Sequence, residues 1–64
     1  MEWYRRMLEE REELYEKVIK LESALKGDIL EHLDEFSGSL LKEQYFVMLQ
    51  YLDILDRRIG LIDE

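Results

Sequence analysis

Residues 40–62 read LLKEQYFVMLQYLDILDRRIGLI, and two heptad seams run side by side through them. The first consists of Leu41, Tyr45, Met48, Leu52, Leu55, Ile59 and Ile62. Its steps alternate between four and three residues, which stacks all of them on one stripe of an α-helix. The second seam, Leu40, Gln44, Val47, Tyr51, Ile54, Arg58 and Leu61, keeps the same period but is interrupted by Gln44 and Arg58. A helix packed against one neighbour needs one apolar stripe. A helix apolar over a wider arc must cover the remainder with another subunit or a ligand. The stretch therefore predicts a long helix over about 40–62 and an assembly larger than one chain.

Working back toward the amino terminus, Tyr4, Met7, Arg11, Leu14, Val18, Leu21 and Leu25 repeat at the same spacing among Glu, Lys and Arg residues that favour helix. This predicts a first helix over about 3–26. Glu13 with Lys17 and Glu16 with Lys20 stand four apart in the supportive orientation. Gly27 is placed to end the helix with a positive φ, and Asp28 with Glu31 resembles a capping box. Ile29, Leu30, Leu33 and Phe36 then have helical spacing, predicting a short connecting helix over about 29–36. Ser37-Gly38-Ser39 reads as a break, with Ser39 as N-cap of the last helix. The expected fold is all-α: an antiparallel helical hairpin with a short connecting helix, residues 1–64 forming one domain, assembled into a homo-oligomeric bundle.

Composition supports that frame. A chain of 64 residues buries only roughly 60% of the surface its unfolded form exposes, so association is the available source of extra stability. Without Cys it has no disulfide or thiolate–metal staple, and without Pro and with only three Gly it suits long helices. A formal charge of −7 argues against general DNA or RNA binding. No stretch has the roughly 20 apolar residues that span a bilayer, and Met1 to Arg6 has no signal-peptide core. The expectation is a protein of the cytoplasm, away from membranes.

No nucleophile motif, phosphate loop or metal-spaced His pair is present, so the chain reads as a non-enzyme that needs no cofactor. His32 is the sole histidine, and its acidic neighbours Glu31, Asp34 and Glu35 make no distinctive metal set. Polar residues inside apolar seams carry more information. Arg11, Gln44 and Arg58 either fix register through pairing or, for the arginines, keep a guanidinium ready for an anion. Trp3-Tyr4-Arg5-Arg6 sets two rings beside two guanidiniums, the parts for stacking a base and neutralising a phosphate. The same rings could instead close the end of the core. Tyr15, Tyr45 and Tyr51 fall on or beside the seams and read as core or interface residues.

The ordering Arg6-Met7-Leu8, Glu10, Glu13-Leu14, Glu16-Lys17, Leu21, followed by Leu41, Gln44, Met48, Tyr51, Leu55 and Arg58-Ile59, resembles the phage anti-CBASS sponges. These are small helical proteins that sequester cyclic oligonucleotide signals and so silence a bacterial immune response. The resemblance covers both long helices. It implies a homo-oligomer, a hexamer built from dimers, in the host cytoplasm, holding cyclic dinucleotides and in some members cyclic trinucleotides between protomers without cleaving them. It also implies an aromatic ring near the start of the first helix stacked on a base, matching Trp3 or Tyr4, and a phosphate-binding lysine, matching Lys17. Arg6 would assist, and Arg58 matches an arginine of the trinucleotide site by residue type and helix. The rival reading is an oligomeric helical adaptor whose surplus seam docks a host or phage protein.

Overall fold

The computed structural model describes residues 2–63. Helix α1 (Glu2–Lys26) and helix α2 (Glu35–Asp63) lie antiparallel, joined through a single 3-10 turn at Ile29–His32. The first seam of α2 faces α1: Leu55 is fully buried, with Met7 and Val18 of α1 the other two buried core side chains. Tyr4, Leu14, Leu21 and Leu25 of α1 and Leu41, Tyr45, Met48, Leu52, Ile59 and Ile62 of α2 flank them half-buried. The hairpin is a rod of 45 × 15 × 14 Å, and among the described residues there is no interior beyond this one row of contacts.

The break expected at Ser37-Gly38-Ser39 lies inside α2. The cap is Asp34, not Ser39: the Ser37 backbone N–H donates to Asp34 Oδ1 at 2.6 Å, and Gly38 N–H opens the helical ladder to the Asp34 carbonyl at 2.9 Å. Helix α2 therefore begins at Glu35 instead of near residue 40. Gly38 is buried because the connector crosses it, and a Cβ there would sit 3.5 Å from Leu30 Cδ2.

The connecting helix expected over 29–36 shrinks to one turn, because Leu33 is extended (φ −108°, ψ 151°) and Phe36 belongs to the first turn of α2. Asp28 does not form the expected capping box. Its carbonyl accepts from Glu31 N–H at 3.0 Å, while its carboxylate lies 3.4 Å from His32 Nε2. Gly27 ends α1 without a positive φ, its N–H shared between the Ser23 and Ala24 carbonyls at 3.2 Å each. The expected Glu13–Lys17 and Glu16–Lys20 bridges do not close. Arg6–Glu2, Lys26–Glu22 and Arg57–Asp53 do, at 3.0, 2.8 and 3.0 Å. Such exposed pairs contribute so little that side-chain entropy decides which ones form.

Gly60 sits in α2 with nothing within 4 Å of a would-be Cβ, so its only effect inside the hairpin is the helix cost of glycine. In urea titrations Gly60→Ala should gain up to about 1 kcal/mol, whereas Leu55→Ala should lose roughly 2–5 kcal/mol. Parent-like stability in Leu55→Ala would show that the first seam is not the core.

Candidate functional site

Two hydrogen bonds tie the helices together along one flank of the hairpin. Arg11 Nε donates to Asp56 Oδ1 at 2.8 Å, and the Tyr45 hydroxyl donates to Glu22 Oε2 at 3.3 Å. Both helices advance eleven residues between the two bonds, so the antiparallel register is constant. Arg11 thus takes the register-fixing role expected of a charge inside a seam. The Asp56 hydrogen bond raises its pKa further above the usual arginine value. The guanidinium also covers the Tyr15 ring at 4.9 Å. Glu22 is held below the usual carboxylate range, first by its bond to Lys26 and then with help from the Tyr45 hydroxyl. Burial and the facing Glu22 push the Tyr45 phenol up.

The opposite flank is differently made. At about 100° of rotation per residue, Trp3, Leu14, Lys17 and Leu21 of α1 turn away from the Arg11 side, and the second seam of α2 turns the same way. Leu40, Val47, Tyr51, Ile54 and Leu61 are all between 41% and 73% exposed. Gln44 spends its amide on a 3.8 Å contact to Met48 Sδ in the same helix. Lys17 and Arg58 are exposed and make no ion pair among the described residues. This flank is an apolar strip crossed by two free cations.

At the amino-terminal end the aromatic pair divides its labour. Tyr4 is half-buried over the core, and Trp3 stands edge-on to it (centroids 6.4 Å apart, planes at 81°) with 53% of its surface exposed. The closing of the core falls to Tyr4, leaving the indole open for stacking. Arg6 is already bridged to Glu2. With Arg5, Glu2 and Glu9 it lines a shallow depression of about 400 Å³ whose charges balance. Arg5, outside the expected site set, is the addition here, and its place beside Arg6 at the helix start was the available signal.

The structure does not bring the expected site residues together in one chain. Trp3 and Lys17 stand fourteen positions apart on α1, about 21 Å at 1.5 Å per residue, too far for one small ligand to touch both. Arg58 is level with Glu9, judged from the Arg11–Asp56 pair, well short of Lys17. No closed pocket joins Trp3, Lys17 and Arg58 among the described residues.

A family model described as Sequestin matches residues 1–61. The chain belongs to the Sequestin family. That name suggests a sequestering function, the holding of a target. None of the curated proteins and none of the solved structures compared with the chain matches it. No described helix is long and apolar enough to cross a membrane. The described residues also contain no group of three or more His, Cys, Asp and Glu side chains able to hold a metal ion.

The hydrogen-bonded carboxylates give the hairpin a pH profile. Asp34, like Glu22, lies below its ordinary range, because it accepts from the Ser37 backbone N–H and hydroxyl. A depressed carboxylate contributes fully above the unfolded value, about pH 4, and loses its contribution as pH falls through the folded value. Helicity should hold from pH 7 to about 5 and decline below about 4. The decline should be shallower in a Glu22→Gln/Asp34→Ala double variant, whose melting temperature at neutral pH is several degrees lower. An acid transition identical in the double variant would assign it to other carboxylates.

Proposed function

We propose that this Sequestin chain sequesters a small nucleotide signal between subunits of a homo-oligomer, and that cyclic di- and trinucleotides of CBASS immunity are the class it takes. The observation that carries this reading is the placement of a half-exposed Trp3 indole and an unpaired Lys17 on the same flank, about 21 Å apart. Each is half of a nucleotide site, and each needs its complement from another chain. The indole stacks on a base, Tyr4 braces the indole, Lys17 takes phosphate, and Arg6 contributes when a ligand phosphate draws it from Glu2. The oligomer, a hexamer in the resembling sponges, works in the host cytoplasm by titration: it holds the signal without converting it, so no catalytic group or cofactor is required.

The charge of −7 does not oppose this, because exposed carboxylates beyond a Debye length of about 8 Å are screened while cations inside a partly dry pocket are not. What the ring and the cation recognise is a base joined to phosphate. The test panel therefore extends from cyclic dinucleotides and trinucleotides to adenine nucleotides carrying a pyrophosphate.

Calorimetry at micromolar protein should show heat with at least one class in the panel, and the ligand should be recovered intact after denaturation. Stacking on one aromatic is worth about 1–3 kcal/mol, so Trp3→Ala should weaken binding roughly 5- to 150-fold. Lys17→Ala should weaken it about tenfold or more, with the native mass unchanged in both. Silence across the panel would end this reading in favour of the protein-docking adaptor. Unchanged affinity in both variants would move the site, and a chemically altered ligand would make the chain an enzyme.

A further inference from the structure

The second seam of α2 has a property that its exposure alone does not convey: its two interruptions mirror one another. Counting outward from Tyr51, Val47 and Ile54 come first, then Gln44 and Arg58, then Leu40 and Leu61. Any heptad seam is near-symmetric in its apolar positions. This one is also symmetric in where the polar residues fall.

We propose that α2 packs antiparallel against α2 of a second copy through this seam, with the two-fold axis beside Tyr51. Leu40 then meets Leu61 of the second copy, Val47 meets Ile54, and Gln44 meets Arg58, each contact occurring twice, as an isologous interface requires. The guanidinium of Arg58 donates to the Gln44 side-chain oxygen. Glu43, one position before Gln44 at the edge of the seam and exposed, supplies the compensating charge. Glu43 and Arg58 lack ion-pair partners among the described residues of their own chain, so neither bond competes with the hairpin.

The alternatives are worse for a stated reason. A parallel pairing sets Arg58 against its own copy, two like charges in an apolar strip. A slip of one heptad sets Arg58 against Tyr51 and leaves a guanidinium desolvated without a carboxylate. The Gln44 side-chain oxygen, left over once its NH2 group faces Met48 Sδ, and the Arg58 cation are thus the register device of the dimer, as single polar residues are in coiled coils. This rests on the self-assembly proposed above and is independent of the ligand. It gives Arg58 to the interface instead of to a trinucleotide.

The chain has no cysteine, so single cysteines report the register directly. Tyr51→Cys should oxidise to a disulfide dimer in high yield, since a disulfide requires Cα atoms within about 7 Å and the axis passes there. Leu61→Cys should give little, its copy lying at the far end of the interface. Arg58→Glu should raise the dimer dissociation constant about tenfold or more by sedimentation, and Arg58→Glu with Glu43→Arg should restore it. A dimer that cross-links through Leu61→Cys and not Tyr51→Cys would overturn the register while leaving assembly intact. A parent chain that stays monomeric at high concentration would overturn the interface itself. Calorimetric binding of a nucleotide by an assembly of another register would overturn this inference and leave the sponge reading standing.

Discussion

Everything in this hairpin depends on a geometric limit: two helices side by side can hide one stripe of each. The row centred on Met7, Val18 and Leu55 uses that capacity fully, and only these three hydrophobic side chains are buried among the described residues. A rod about two helices wide has nowhere to place a further apolar row. The second seam is therefore on the surface by necessity, and its exposure reflects the number of helices, not poor folding. That limit also bears on recognition, since a rod without an interior offers only shallow, open depressions among its described residues.

The two flanks show how the remaining side chains divide under that limit. On one, Arg11–Asp56 and Tyr45–Glu22 satisfy polar groups across the helices and hold the register. On the other, no such bonds cross among the described residues, and Lys17, Gln44 and Arg58 lie among Leu, Val, Ile and Tyr. Charges left uncommitted beside apolar surface gain most when that surface is covered, because water removal strengthens whatever they then touch. The asymmetry is the structural argument for locating function on the second flank. The depression between Arg5 and Arg6 is a weaker candidate because Glu2 and Glu9 already balance it.

The long-range pattern of the fold was legible in the sequence, and its punctuation was not. Heptad spacing identified the buried seam of α2 residue by residue, because every member of a stripe votes for the same face. Helix ends rest on one or two hydrogen bonds each, and several residues around 28–39 could supply them. Gly27 does end α1, but for the start of α2 Ser39 offers the residue type of a cap and Asp34 takes the role, placing a carboxylate on the Ser37 N–H. Ser-Gly-Ser was misleading for a related reason: residues that often end a helix are tolerated near its start, where the cap holds the backbone and Leu30 packs over Gly38. The candidate site was legible as residue types but not as a site. Sequence spacing places Trp3 and Lys17 on one flank, but at about 21 Å apart they do not form one site within the hairpin.

The proposed site, completed only by a second chain, would couple ligand and assembly. A ligand that contacts two subunits binds the oligomer and not the separated hairpins, so by mass action it stabilises the oligomer by RT ln(1 + [L]/Kd). For a chain this short the coupling works in both directions. In the proposed oligomer, covering the second seam would supply stability that one row of contacts cannot, and a covered seam would hold the flanking rings and cations at fixed separations, which lowers the ordering cost of binding. In the proposed reading such coupling suits titration more than catalysis. An enzyme must release what it holds, whereas a sequestering protein gains from each contact that makes release slower, and contacts spread over two chains must all be broken before the ligand escapes.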